Sequence, residues 1–106
     1  MAEEQHSTGY NGWSNRATWG VNLHITNDQN AYGQALQFAR ETPQDYDLAD
    51  ILRDWMLELV DIAQERIRPE FVRLLCWDML HVAFEDVNWM ELARVIRSNL
   101  AEGVEV

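Results

Sequence analysis

The sequence has no lysine, one cysteine, two prolines and five glycines among its 106 residues. All eight cations are therefore arginines, and they stand against 18 carboxylates, so that the formal net charge is −10. This balance disfavours direct binding of nucleic acid, because contacts to phosphates need clustered Lys and Arg. The same charge repels an anionic membrane leaflet.

The single cysteine, Cys76, excludes an internal disulfide framework and a cysteine-based zinc cluster. It lies in the apolar run 74–77, which predicts a buried, unreactive thiol; a reactive thiol is the alternative. The N-terminus lacks the basic and apolar regions of a signal peptide, and the apolar runs are shorter than the ~20 residues of a membrane helix. We expect a cytoplasmic protein of the host cell, with no membrane contact.

Signatures of catalysis are missing as well. There is no Gly-x-Ser-x-Gly elbow, phosphate-binding loop or dinucleotide fingerprint. The three histidines, His6, His24 and His81, show no metal-ligand spacing, and Asp78 with His81 is typical of a helical salt bridge. The sequence therefore predicts a protein that is not an enzyme, with no cofactor and no metal; a small hydrolase or metal-dependent enzyme is the remote alternative.

What is present is helical periodicity in a chain that is 47% hydrophobic. The length predicts a single helical domain, 1–106, in which 1–12 form a flexible N-terminal arm. Capping residues and breaks predict an all-α, compact bundle of four or five helices. Their predicted bounds are 16–26 with Asn15 as cap, a second helix capped by Asn27 or Asp28, 48–67 capped by Asp47, a fourth from Pro69 to about 84, and 89–100 capped by Asn88 with Glu91 and closed by Gly103.

Apolar side chains at helical spacing predict the core. In the third helix they are Leu48, Ile51, Leu52, Trp55, Leu59 and Ile62, and in the fourth Phe71, Leu74, Leu75, Met79, Val82 and Ala83. Trp55, Trp77 and Trp89 are expected in the core. Tyr10, Trp13 and Trp19 cluster among polar residues, and two interpretations stay open: a folded cap on one end of the bundle, or a recognition surface that includes Trp13 and Arg16.

The long third helix carries a row of like charges, which we call the acidic strip: Asp47, Asp50, Asp54, Glu58, Asp61 and Glu65. Spacings of three and four residues place all six on one side of a helix, over a length of about 27 Å. A solvated face is the plain interpretation. However, like charges at these spacings cost free energy, whereas alternating signs would gain it. The strip therefore indicates a long-range field that serves a basic partner, with Glu41 and Asp45 extending it.

The stretch from Tyr10 to Asp28 carries the pattern Asn-Gly-Trp-x-Asn-x-x-Thr-Trp, followed by a short helix that ends in Asn-Asp. It resembles a motif of small proteins from phages, plasmids and integrated elements. The resemblance implies a mobile-element origin and no catalytic activity. It covers about a fifth of the chain and does not reach the acidic strip.

The combined profile is similar in type to phage anti-defence inhibitors, among them anti-CRISPR and anti-restriction proteins. We therefore expect an inhibitor that binds a basic host protein, a nucleic-acid-handling defence complex, by imitating nucleic-acid charge. Partner contact is expected from the acidic strip, with Trp13 and Arg16 as a second surface. The alternative is a non-inhibitory structural or accessory module that dimerises through apolar helix surface, so that the protein is either a monomer or a homodimer.

Overall fold

The computed structural model describes residues 12–103, and the predicted arm lies, apart from Gly12, outside them. Five α-helices follow one another: α1 Arg16–Asn27, α2 Gln29–Glu41, α3 Asp45–Gln64, α4 Glu70–Asp86 and α5 Trp89–Ala101. The predicted all-α bundle is confirmed.

Three helices begin at the caps that the sequence predicts. The side-chain oxygens of Asn15, Asp28 and Asn88 each accept a hydrogen bond from the backbone N–H three residues ahead, at 2.8, 2.9 and 3.0 Å. Each bond satisfies one of the backbone donors that a helix start leaves without a partner. Gly103 follows α5 with a φ of +76°, as its predicted role in closing that helix requires.

The predicted start of α3 is wrong. The helix begins at Asp45, after Gln44, whose side chain makes no capping bond. Asp47 therefore lies in the first turn instead of at the cap, where its charge still interacts favourably with the helix dipole. The helix also ends at Gln64, three residues before the predicted end at 67.

The core lies between α2, α3 and α5. Its buried members are Ile25, Tyr32, Ala35, Leu36, Ala39, Leu48, Ala49, Leu52, Leu92, Ala93 and Ile96. The two faces of α3 and α5 that meet there are fully excluded from solvent at Leu48, Leu52, Leu92 and Ile96. Trp55 and Trp89 are partly buried and pack against this cluster, as predicted.

Arg97 fastens α5 to the connection between α2 and α3. Its guanidinium donates to Asp45 Oδ1 at 2.6 Å, to the Thr42 carbonyl at 2.6 Å and to the Ala39 carbonyl at 3.2 Å. Two of these acceptors are backbone oxygens at the end of α2, where the helix has few N–H donors of its own to offer; the Ala39 carbonyl also accepts from the Thr42 N–H. Charge-assisted bonds of this kind hold the start of α3 against α5.

The core prediction for α4 is wrong. No residue of this helix is buried, and Phe71, Leu74, Leu75, Met79 and Val82 are 50–70% exposed. The structure packs α4 against α3 and α1 through the opposite side of the helix. Leu59 and Ile62, at the end of α3, are exposed for the same reason: this half of α3 extends beyond α2 and α5.

Two further predictions of burial in α4, for Trp77 and Cys76, are also wrong. Trp77 is 40% exposed and stacks on His81, with ring centroids 3.9 Å apart, so it is not a core residue. Cys76 is half-buried instead of buried.

Candidate interaction surfaces

The Asn-Gly-Trp motif joins α1 to the turn between α4 and α5. Thr18 is fully buried; its hydroxyl donates to Asn15 Oδ1 and accepts from the Asn88 backbone N–H, both at 2.8 Å. The Asn15 amide donates to the Asp86 carbonyl at 2.7 Å. The motif residues Asn15 and Thr18 thus link two chain segments that are about 70 residues apart.

A second link comes from Ser14. Its hydroxyl donates to the Glu91 carboxylate at 2.6 Å, and its backbone N–H lies 3.2 Å from the same group. In a full capping box the Glu91 carboxylate would accept from the Asn88 backbone N–H. Here that N–H donates to Thr18 instead, and Glu91 accepts from Ser14. Contacts to the motif therefore replace this half of the predicted capping box. These bonds favour the interpretation of the motif as a cap on the bundle.

The two motif residues predicted to contact a partner have different surroundings. Trp13 is half-buried and packs against the hydrophobic core. Arg16 is exposed at the first position of α1, beside an apolar groove. Arg16 is therefore the more exposed of the pair, and Trp13 is partly covered by the core.

All six carboxylates of the acidic strip are exposed. The side chains of Asp50, Asp54 and Asp61 are 64%, 70% and 53% exposed. Their positions along α3 keep them on one side of the helix, away from the face that Leu48 and Leu52 bury. The exposed row of carboxylates that the sequence analysis assumes is therefore present in the structure.

Within residues 12–103, the side chains of Arg53 and His81 lie beside the strip. The Arg53 guanidinium is 3.2 Å from Asp54 Oδ1 and 3.6 Å from Asp50 Oδ1, and His81 Nε2 is 3.7 Å from Asp61 Oδ1. Surface ion pairs of this kind are worth little and leave the carboxylates accessible. Within residues 12–103, no cation pairs with Asp47, Glu58 or Glu65, the three other members of the strip. His81 was predicted to pair with Asp78, and the structure places it on Asp61 instead.

Asp45 does not extend the strip. Its carboxylate is held by Arg97, with Arg94 Nε at 3.9 Å, and it is only 35% exposed. It serves the junction between α3 and α5. Glu41 is exposed, and its carboxylate accepts from the Gln37 amide on α2.

Arg73 is held within α4 by Glu70, and the charge of Glu65, the last member of the strip, also acts on it. Its Nε donates to Glu70 Oε1 at 2.9 Å, and the hydrogen bond to the ionised carboxylate lowers the pKa of Glu70 below its usual range. The same contact raises the pKa of Arg73.

A second surface, which the sequence analysis assigned to the core, is the outer face of α4. We define it by Phe71, Leu75, Met79 and Val82, which are 70%, 52%, 55% and 55% exposed. Spacings of four, four and three residues place them in one row on the side opposite Leu80 and Phe84, which face α1 and α3. The periodicity of the sequence shows that this row exists, but it does not show which side of α4 the bundle covers.

Two apolar grooves run beside α1. One, of about 540 Å³, lies between α1, α3 and α4 and includes Val21, Val60 and Leu80, with Arg16 at its rim. The other, of about 460 Å³, lies between α2 and α3 and includes Ala31, Trp55 and Leu59. Both are open to solvent.

The described residues contain no group of three or more metal-ligating side chains. None of the helices in residues 12–103 is long and apolar enough to span a membrane.

The chain matches the model of DUF7249, a family of unknown function, over residues 6–96. The match covers most of the sequence, from before the Asn-Gly-Trp motif into α5, and the protein belongs to this family. Comparisons with curated proteins and with solved structures gave no significant match.

Proposed function

We propose that this protein acts by binding, as an acidic inhibitor of a basic, nucleic-acid-handling host protein of a defence complex. The observation that carries the proposal is the exposure of all six carboxylates of the acidic strip, five along one side of α3 and the sixth, Glu65, directly after its last residue. A row of about 27 Å with one sign of charge presents a polyanion to a surface that binds nucleic acid.

The electrostatics of the rest of the chain support this proposal. The net charge of −10 adds a long-range attraction to a basic partner, and it acts before contact is made. The strip is held on the longest helix, which the core anchors through Leu48 and Leu52, so the carboxylates are positioned before binding. A rigid arrangement lowers the entropic cost of association.

The test is capture of the partner from a bacterial host lysate with the wild-type chain and with the double variant Asp54→Lys and Glu58→Lys. We expect the wild type to retain a basic protein that is released steeply as salt increases, and the variant to lose it, because exposed charge pairs are screened by ions. The retained protein is identified by mass.

The matched control is Asp78→Lys with Glu102→Lys, which changes the net charge by the same amount at exposed positions outside the strip. It should retain most of the binding. Equal loss in both variants would show that total charge acts, and unchanged binding in the strip variant would refute the proposal.

A further inference from the structure

The outer face of α4 is an apolar row with no cover from residues 12–103, and the exposed carboxylate of Asp78 is the charged group that lies beside it on this side of the helix. With the adjoining Leu74, its side chains leave on the order of 500 Å² of apolar surface in water, at the upper end of what monomeric proteins expose. This surface goes beyond the proposed function, which depends on the acidic strip of α3.

The shape of the row suits a second α4. Spacings of four, four and three residues from Phe71 to Val82 form the seam by which two helices pack side by side. Two such faces together supply about 1,000 Å², which is near the lower limit for a specific protein interface. Area alone does not set the affinity, but interfaces near this limit are typical of weak, reversible association.

The charges at the two ends of α4 define the orientation. At the start of the helix the exposed Arg66 and Arg68 lie near the carboxylates of Glu65 and Glu70, and with Arg73 this end carries three cations and two carboxylates, a charge of +1. Glu85 and Asp86 are exposed at the other end and give a charge of −2. In an antiparallel pair the weakly basic end of each copy lies beside the acidic end of the other, whereas in a parallel pair the two acidic ends meet. The antiparallel arrangement also sets the two helix dipoles in opposite directions, which is favourable.

We propose that the outer face of α4 is the interface of a homodimer, in which two copies of α4 pack antiparallel about a twofold axis near the middle of the helix. Phe71 of one copy then faces Val82 of the other, and Leu75 and Met79 of both copies fill the centre. The self-complementary interface is of the kind that a twofold axis requires.

The dependence of association on salt concentration distinguishes this interface from the acidic strip. Each copy carries a charge of −10, so that long-range repulsion opposes the dimer and screening by ions strengthens it. Binding of a basic partner by the strip weakens with salt instead. The two proposals can therefore fail independently.

The experiment is sedimentation equilibrium of the full chain over a range of protein concentrations, at low and at moderate salt. We expect a monomer–dimer equilibrium in the micromolar range that shifts towards dimer as salt increases. The double variant Leu75→Glu with Met79→Glu should weaken association at least tenfold, since it places charges in the centre of the interface. Circular dichroism confirms that the variant keeps its helices.

The matched control is Leu59→Glu with Ile62→Glu. These side chains are 45% and 58% exposed on α3, outside the proposed interface, so the same chemical change should leave the dimer intact. A wild-type chain that remains monomeric across the concentration range would overturn the proposal, as would equal loss in both variants.

Orientation is tested by disulfide formation in a Cys76→Ser background. An equimolar mixture of Phe71→Cys and Val82→Cys chains should form a mixed disulfide dimer, and neither variant should cross-link with itself. Self-linking of each variant would indicate parallel helices and overturn the antiparallel model; no linking in any sample would contradict the contact between residues 71 and 82.

Discussion

Thr18 shows how a single hydroxyl connects distant parts of the chain. It is fully buried, donates to Asn15 and accepts from the Asn88 backbone, so that the starts of α1 and α5 meet at one oxygen atom. A hydroxyl with both partners in a buried position is costly to remove, because the groups that it served lose their hydrogen bonds without gaining water.

We expect Thr18→Val to lower the free energy of unfolding by about 2 kcal/mol, since it keeps the shape of the side chain and leaves the Asn88 N–H without a partner. Urea denaturation followed by circular dichroism measures the change.

Thr26→Val is the matched control in the same helix. The Thr26 hydroxyl donates at 2.8 Å to the carbonyl of Asn22, one turn earlier in α1, so its loss should change stability by no more than about 0.5 kcal/mol. An equal effect at both positions would show that the buried hydroxyl of Thr18 has no special role.

The motif residues illustrate what sequence reasoning can and cannot decide at this scale. Asn15 is recognisable as a cap because its residue type and the helical pattern after it are local signals. The partner of Thr18 is 70 positions away, and no local rule indicates which distant N–H a threonine will satisfy. Two interpretations of the motif therefore remained open until the structure placed Asn88 and Glu91 beside it.

At the scale of the helix, α4 is the element where sequence and structure diverge. It is apolar on two sides: Phe71, Leu75, Met79 and Val82 lie on one, and Leu80 with Phe84 lies on the other. Periodicity identifies an apolar row but not its partner, and the row with more large residues is the one left in water. By contrast, α5 has one apolar side, and Leu92, Ala93 and Ile96 are buried there.

Substitution of leucine by alanine measures how much a buried and an exposed side chain each contribute to the free energy of unfolding. We expect Leu52→Ala, in the fully buried core, to cost about 2–5 kcal/mol of unfolding free energy, because it opens a cavity. Leu75→Ala, at a side chain that is 52% exposed, should cost less than about 1 kcal/mol.

Both are compared by chemical denaturation at a protein concentration below the micromolar range, so that self-association does not contribute. A loss at Leu75 equal to that at Leu52 would mean that the outer face of α4 is packed inside the folded monomer.

At the scale of the whole molecule, charge and shape act together. The chain is flat, with extents of 44 × 40 × 23 Å, and carries ten net negative charges. Because the molecule is thin, carboxylates on its two broad faces stay close to one another and repel. Net charge was readable from composition alone. The flat shape was not, because it depends on the α3–α4 pair extending beyond the rest of the bundle.

We expect the melting temperature to rise by several degrees as sodium chloride is increased from low to moderate concentration, because screening reduces repulsion within the folded state. Differential scanning calorimetry gives the shift directly.

A variant with Glu58→Gln should melt higher than the wild type at low salt, and the gap should close as salt increases. Glu58 has no cation partner in the described part of the chain and lies away from the helix ends, so its neutralisation removes repulsion without breaking an ion pair. A salt-independent melting temperature would show that the carboxylates repel one another too weakly to matter for folding.

The stack of Trp77 on His81 has an optical consequence. The indole of Trp77 lies against the imidazole of His81, whose Nε2 is 3.7 Å from Asp61 Oδ1 across the α3–α4 hairpin, so the surroundings of this indole depend on how the two helices pack. Emission that is present in the wild type and absent after Trp77→Phe therefore isolates one indole of the five. The hairpin thus carries a label-free spectroscopic reporter of its own local geometry.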